Sequence, residues 1–155
     1  MLRTLYALVL MSALIGACAS HPDMNLARLE TLPQRYSQFD LVMGWEIRPD
    51  NAKTTVEGVA RNVRYYMMRD LEIWVALLDR DGKVAARGMT FIIPSDLGME
   101  QSAPFAVRLP VTVNPGDRLR FTYKYRGSDG GDGLERGLDW MQSFVVVVPA
   151  GWQRP

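Results

Sequence analysis

The sequence contains few of the residues on which catalytic and metal sites are most often built. Among 155 residues there is one cysteine, Cys18, and one histidine, His21. A single cysteine cannot form an internal disulfide. His21 lies in a segment with the composition of a flexible tether, which disfavours a Ser-His-Asp triad or a His-based zinc site. We therefore expect no enzyme, no cofactor and no bound metal.

The sequence also lacks net charge, with 18 Lys and Arg residues against 17 Asp and Glu residues. Arg3 is the only charged residue among the first 17, so a chain without that segment carries 17 charges of each sign. A nucleic-acid-binding domain is usually strongly basic. We expect no nucleic-acid partner, and the length fits one domain.

Long hydrophobic runs are absent except at the start of the chain. Residues 5–15 (LYALVLMSALI) follow Arg3 and contain no charge. Eleven residues are too few to span a bilayer, which takes about 20. A positive start, an apolar middle and the small residues Gly16 and Ala17 have the layout of a signal peptide. We therefore predict a leader over residues 1–17.

The four residues Ile15-Gly16-Ala17-Cys18 resemble the lipobox of bacterial lipoproteins. The resemblance implies that the leader is removed just before Cys18. It also implies that the sulfur of Cys18 carries a diacylglycerol thioether and that the new amino group of Cys18 is acylated. Acyl chains contribute about 0.8 kcal/mol per buried CH₂ to membrane anchoring. Ala19 and Ser20 follow the cysteine, which in that family implies the outer membrane facing the periplasm. A plain signal peptide cut near Ala17 or Ala19 is the alternative.

The mature chain is predicted to begin with a tether. Residues 18–38 mix small, polar and charged residues, and Leu26, Leu29 and Leu32 could form a short helical turn that Pro33 ends. We predict a lipidated cysteine and flexible tether over residues 18–38, one folded domain over 39–150 and a tail over 151–155.

From Phe39 onward, apolar and polar residues alternate with a period of two, and turn residues recur at short intervals. This pattern is typical of half-buried strands, and Asp81-Gly82 is a hairpin signal. Seven such segments predict an all-β fold, an antiparallel seven-stranded immunoglobulin-like β-sandwich, with a small up-and-down barrel as the alternative. The predicted inward rows are Leu41, Met43, Trp45 and Ile47; Leu71, Ile73, Val75 and Leu77; and Leu119, Phe121, Tyr123 and Tyr125.

Two segments carry information about their place in a sheet. Residues 103–111 are flanked by Pro104 and Pro110, which suits an edge strand. Residues 145–148 (VVVV) are apolar on both faces, which predicts a strand in the middle of a sheet or beneath a covering segment.

Residues 54–125 resemble FxLYD-type sandwich domains of exported bacterial proteins. The resemblance rests on Gly58 and Asn62 in VEGVARNV, on the apolar strand ending at Asp79, and on the turn in VNPGDRLRFTYKY. Val75 and Leu78 replace the Phe and Tyr that name the family. The resemblance implies a fold and no catalytic residues, and such domains are commonly of unknown function.

One face of residues 118–126 carries four cations, Arg118, Arg120, Lys124 and Arg126. Such a stripe suits contacts with anionic lipid headgroups or an acidic polymer. The alternative is a solvated strand face whose charges discourage edge-to-edge pairing. The stripe is therefore a candidate interaction surface.

Aromatic residues give a second set of candidates for contacts. Tyr65 and Tyr66 lie in a predicted connection between strands, where they form a contact surface or pack over an open end of the sandwich. Trp74 is predicted to face away from Ile73 and Val75, and Trp152 lies in the tail. Either tryptophan is a candidate partner contact.

Two ligand hypotheses have plainer alternatives. Asp129 and Asp132 in the glycine-rich loop could supply oxygen ligands to calcium, although the spacing matches no EF-hand and a flexible hairpin loop explains it. The row Phe121, Tyr123 and Tyr125 could line a ligand cavity, although alternation alone predicts that it is core.

Taken together, these features predict a non-catalytic, lipid-anchored protein of the cell envelope that serves as a structural or protein-interaction module. Its predicted partners are the membrane, through the lipid anchor, and another envelope protein. The alternative function is a binder or carrier of a small or lipidic ligand in the periplasm.

Overall fold

The computed structural model describes residues 23–128 and 138–150. Within these residues the chain forms one helix and nine strands. They are α1 (Met24–Thr31), β1 (Gln34–Ser37), β2 (Leu41–Asp50), β3 (Lys53–Asn62), β4 (Met67–Leu78), β5 (Val84–Phe91), β6 (Asp96–Leu97), β7 (Ser102–Leu109), β8 (Arg118–Ser128) and β9 (Leu138–Val147). The helix found in the described ranges is too short to cross a bilayer.

The strands form two antiparallel sheets. The first sheet has the order β1-β2-β3-β7, and the second has the order β5-β4-β8-β9 with β6 added beside β4. The predicted β-sandwich is therefore confirmed, and the barrel alternative is not observed. The described ranges hold nine strands where seven were expected, because the four-residue β1 and the two-residue β6 are too short to give a periodic signal.

The core lies between the sheets and is built from the predicted inward rows. All of their members are buried except Leu77, which is partly exposed. Trp45 of the first sheet packs on Phe121 of the second, with ring centroids 4.6 Å apart. Burial of each such large side chain contributes about 1.5–3 kcal/mol, so the domain needs no disulfide for its stability.

The prediction of a tether through residue 38 is wrong for the residues from 23 onward. Asp23 caps α1 by accepting hydrogen bonds from the backbone amides of Asn25 and Leu26 (2.9 and 3.3 Å). Leu29 of α1 and Leu32, the residue that follows the helix in an extended conformation, pack on Val59 of the first sheet. The folded domain therefore begins near residue 23, not at residue 39, and β1 belongs to the first sheet.

The first of the two positions predicted for residues 145–148, the middle of a sheet, is also wrong. In the described part of the chain, β9 pairs only with β8, so it is an edge strand. Val145 and Val147 are 53% and 61% exposed. Apolar character on both faces therefore did not indicate a central strand here. The prediction that the segment with Pro104 and Pro110 forms an edge is confirmed, since among the described strands β7 pairs with β3 alone.

Candidate functional site

The outer face of the second sheet carries the most distinctive surface in the described residues. Alternation along β4 points Ile73 and Val75 into the core, so that Glu72 and Trp74 lie on the opposite face. The register places Trp74 beside Thr122 of β8 on one side and Met89 of β5 on the other. The prediction that Trp74 faces outward is confirmed.

A groove of about 350 Å³ runs across this face. We call it the outer groove, and its walls include Trp74, Val84, Arg87, Arg120, Lys124 and Met141. The apolar members come from β4, β5 and β9, while the cations come from β5 and β8. Glu72 also lines the groove, where its carboxylate contacts Trp74 and Lys124. The groove is therefore apolar with an excess of cations, a combination that suits an amphipathic anionic ligand or peptide segment.

Trp74 is held in place by two neighbours. Its indole Nε1 donates a hydrogen bond to Oε2 of Glu72 at 2.9 Å. The guanidinium carbon of Arg87 lies 5.7 Å from the centre of the Trp74 ring, which is within the range of a cation–π contact. A ring fixed in this way loses little conformational freedom when a partner packs on it.

The four cations predicted as an interaction surface have different surroundings. Arg118 donates to the backbone carbonyl of Arg80 at 3.0 Å, Nζ of Lys124 lies 3.9 Å from Glu72, and Nε of Arg126 lies 3.7 Å from Asp139. Arg120 has no ion pair or hydrogen bond with the described side chains. Its guanidinium is therefore the cation of the stripe that has no partner among the described residues and can accept an anion without breaking an existing contact.

Tyr65 and Tyr66 lie elsewhere, in the connection between β3 and β4 at one end of the sandwich. Tyr65 is 66% exposed, and its ring centre is 4.2 Å from that of Tyr66. Arg64 stacks over Phe39 and Tyr66 at 4.9 and 5.1 Å. The structure therefore does not bring the tyrosines into the outer groove.

A buried polar cluster lies beneath that end of the sandwich. No motif or periodicity in the sequence indicated it. Asp40 is fully buried and accepts hydrogen bonds from the hydroxyls of Tyr123 (2.8 Å) and Tyr125 (3.0 Å). Burial, with the negative charge of Asp40 and these hydrogen bonds, raises the pKa of both phenols above its ordinary value. Because Asp40 precedes β2 and the tyrosines belong to β8, the cluster ties the two sheets together.

The row Phe121, Tyr123 and Tyr125 is part of the packed core. Phe121 stacks on Phe144 with ring centres 5.1 Å apart, in addition to its contact with Trp45. Its side chain is fully buried, as is that of Tyr123. The core interpretation of this row is therefore confirmed.

Other predicted positions lie outside the described residues. These are the leader, Cys18 and His21 at the start of the chain, Asp129 and Asp132 in the glycine-rich loop, and Trp152 in the tail. Within residues 23–128 and 138–150, no group of three or more His, Cys, Asp or Glu side chains is arranged to hold a metal ion.

Comparison with solved structures bears on the fold. The chain is similar to the GAE domain of GGA2p from Saccharomyces cerevisiae, with 10% identity over 76% of this chain and 98% of that domain, at a TM-score of 0.51. The GAE domain of yeast GGA1 aligns with 11% identity over 74% of this chain and 96% of that one, at a TM-score of 0.47. At such identity the first similarity establishes the fold alone, an immunoglobulin-like β-sandwich. No protein-family model and no curated protein matches the chain.

Proposed function

We propose that this protein is a non-catalytic lipoprotein of the cell envelope, anchored through Cys18, whose β-sandwich binds a segment of another envelope protein in the outer groove. The observation that carries the proposal is the juxtaposition of the fixed Trp74 ring with Arg120, which has no acidic partner among the described residues. Tryptophan and arginine are the residues most often found at interaction hot spots.

The anchor part of the proposal rests on the leader, on the lipobox and on the place where the domain begins. If Cys18 carries the lipid, four residues separate it from Asp23, the cap of α1. Four residues of flexible chain span about 10–12 Å. The sandwich would then be held close to the bilayer, and partners within reach would themselves lie at the membrane surface.

The partner part of the proposal follows from the chemistry of the groove. A carboxylate can form two parallel hydrogen bonds with the guanidinium of Arg120. An apolar side chain next to that carboxylate would pack on Trp74, between Val84 and Met141. We therefore propose that the bound segment is acidic and carries at least one large apolar side chain.

The FxLYD-type resemblance belongs to this proposal as well. A Cβ at Gly58 would lie 2.2 Å from the carbonyl oxygen of Gly44, so larger residues do not fit there. The buried Asn62 donates to the backbone carbonyls of Tyr66 (2.7 Å) and Leu97 (2.9 Å). These bonds attach the β3–β4 connection and β6 to the end of β3. These roles give physical reasons for a G-x-x-x-N element in a sandwich of this kind.

Metabolic labelling with radioactive palmitate tests the anchor. The wild type should incorporate the label and sediment with membranes, whereas Cys18→Ala should do neither. Label that persists in Cys18→Ala would contradict the anchor without affecting the groove.

Site-specific photo-cross-linking in the native envelope tests the groove. A photoreactive residue at Val84, which lines the groove, should give a specific adduct, whereas one at the exposed neighbour Ala85 should not. Arg120→Ala should weaken the adduct and Arg108→Ala, on β7, should leave it unchanged. Adducts of equal strength from positions 84 and 85 would argue against a site in the groove.

A second function, a carrier of a small or lipidic ligand, is favoured by one observation. The groove volume of about 350 Å³ falls within the roughly 300–1,000 Å³ typical of ligand pockets. Trp74 and Met141 would contact the apolar part of an amphiphile, and Arg87 and Arg120 its anionic head. Native mass spectrometry of the purified protein tests this function: a bound amphiphile that is absent from Trp74→Ala would favour the carrier over the peptide-binding module.

A further inference from the structure

The outer edge of β9 is a second candidate surface, which shares Met141 with the outer groove. β9 pairs with β8 over its whole length, from Leu138 beside Gly127 to Val147 beside Arg118. No strand in residues 23–128 and 138–150 pairs with its other side. Alternate backbone N–H and C=O groups along this ten-residue edge therefore have no strand partner.

The other edges are protected in ways that β9 is not. β1 has only four residues, and β7 contains Pro104, which cannot donate to a neighbouring strand. The edges of β5 and β7 also meet, since a Cβ at Gly88 would lie 2.2 Å from the carbonyl oxygen of Arg108. β9 has the sequence LDWMQSFVVV, without proline, glycine, lysine or arginine. Proteins usually protect long edge strands with such residues because an open edge accepts further strands.

The side chains of β9 favour addition of a strand. Met141 is 67% exposed and lies on the same face as the two exposed valines described above. The one charged residue of β9 is Asp139, which faces Arg126 of β8 across 3.7 Å. The remainder of the edge is uncharged, so a strand without charges opposite residues 141–147 would match it.

We propose that the occupant is β9 of a second copy of this chain, paired antiparallel about a twofold axis at Phe144. In this register Met141 lies opposite Val147 of the other copy, and Ser143 lies opposite Val145. Asp139 falls beyond the paired residues, so no like charges are opposed. The same strand serves both sides of such a symmetric interface, and the two second sheets join into one continuous sheet.

The paired segment has a sufficient number of backbone bonds for a specific interface. Pairing over residues 141–147 would form about seven hydrogen bonds, within the roughly 10 ± 5 of a typical protein interface. The exposed apolar side chains of both copies would become neighbours on the outer face. The dimer does not depend on lipidation or on a groove ligand, so its test is independent of the proposed function.

The mass of the full-length protein in detergent, measured by light scattering after gel filtration, provides the first test. The wild type should be a dimer, and Val145→Lys should be a monomer with unchanged circular dichroism. The matched control Val84→Lys places the same charge at another exposed valine and should remain a dimer. A monomeric wild type at micromolar concentration, or a dimeric Val145→Lys, would overturn the proposal.

Disulfide trapping provides a test that does not require Val145→Lys to fold. Directly paired residues in antiparallel strands have Cα atoms about 4.5–5.5 Å apart, which suits a disulfide. The double variant Ser143→Cys/Val145→Cys should give a covalent dimer on mild oxidation, whereas wild type and Lys124→Cys should not. The pairing would be refuted if Lys124→Cys were trapped efficiently or if the double variant failed to cross-link. It would also be refuted if the double variant cross-linked only to another protein.

Discussion

The outer faces of the two sheets differ in whether the chain itself covers them. On the first sheet, Leu29 of α1 and Leu32, which follows the helix, pack against Val59. Gly44 provides the space, since a Cβ there would lie 2.8 Å from Leu29. No helix in the described ranges covers the second sheet, whose face carries Trp74 and the outer groove. The first face therefore gains packing from the helix, whereas the described residues leave the second face uncovered, as the proposed binding in the outer groove requires.

The charges on the two faces differ in the same way. On the first sheet, Arg28 and Arg48 lie within 4 Å of both Glu46 and Glu57, with the shortest separation 2.8 Å. The hydrogen bond to Glu46, assisted by the charge of Glu57, raises the pKa of Arg48. On the second sheet Arg120 has no such partner among the described residues. Charges that are already neutralised attract an anionic ligand weakly, whereas an unpaired guanidinium can bind its carboxylate directly.

The largest expected difference between the faces concerns stability. Leu29→Ala should lower the free energy of unfolding by about 2–4 kcal/mol, because it removes a buried side chain between α1 and the sheet. The corresponding change on the second face, Met141→Ala, should have an effect within about 0.5 kcal/mol. Denaturant titrations of both variants measure this. Equal losses would show that the second face is also a packed surface.

The contacts between the sheets predict a sensitivity to alkaline pH. The pKa values of Tyr123 and Tyr125 are raised in the folded state. At alkaline pH the folded protein therefore keeps two phenolic protons that the unfolded chain releases. The resulting stability is fully present below about pH 10 and falls above it by about 1.4 kcal/mol per pH unit for each tyrosine.

Denaturant titrations between about pH 8 and about pH 11 measure how the free energy of unfolding changes as the pH passes the pKa of tyrosine in the unfolded chain. Tyr123→Phe combined with Tyr125→Phe should reduce the alkaline slope, while the exposed Tyr65→Phe should retain it. The double variant should also be less stable at neutral pH, because it leaves the buried Asp40 without its donors. An unchanged slope in the double variant would contradict the role assigned to these phenols.

A smaller effect is expected where the helix meets the sheet. Gly44→Ala should cost about 1–2 kcal/mol, since its Cβ would press on the end of the Leu29 side chain and the helix would have to shift. The exposed control Ala85→Val should change stability little. Thermal unfolding followed by circular dichroism compares them, and no loss in Gly44→Ala would mean that the helix contact is loose.

The smallest effect on stability is expected in the groove. Arg120→Ala should alter the free energy of unfolding by no more than about 0.5 kcal/mol. It should nevertheless reduce binding to the groove, which the cross-linking at position 84 would report. A large loss of stability in Arg120→Ala would indicate that this arginine has a structural role instead.

The strands could be predicted because each is half-buried, and half-burial imposes a period of two. Leu119, Phe121, Tyr123 and Tyr125 were assigned to the core from this period alone, and all four are buried. The same reasoning placed Trp74 on the outer face. It found three of the groove residues, Trp74, Arg120 and Lys124, because they alternate with core positions of β4 and β8.

The remaining parts of the groove could not be predicted. Met141 comes from β9, which is distant in sequence from Trp74 and comes near it only through strand order. Arg87 lies in β5, which the predicted hairpin at Asp81-Gly82 places beside β4, but the register that brings it to the Trp74 ring was not predicted. The tether was predicted too long because the three leucines in and just after α1 give a weak signal until a sheet is present to bury them. Asp40 gave no signal, since its partners lie more than 80 residues away.

The sequence by itself determined the fold class, the faces of the main strands and the expectation of a lipid anchor, because each depends on local periodicity or on a short motif. Only the tertiary structure decided which sheet the helix covers and, among residues 23–128 and 138–150, which strand keeps an open edge and which cation lacks an acidic partner. These properties depend on which strands become neighbours, and strand order is set by long-range packing that no short segment encodes.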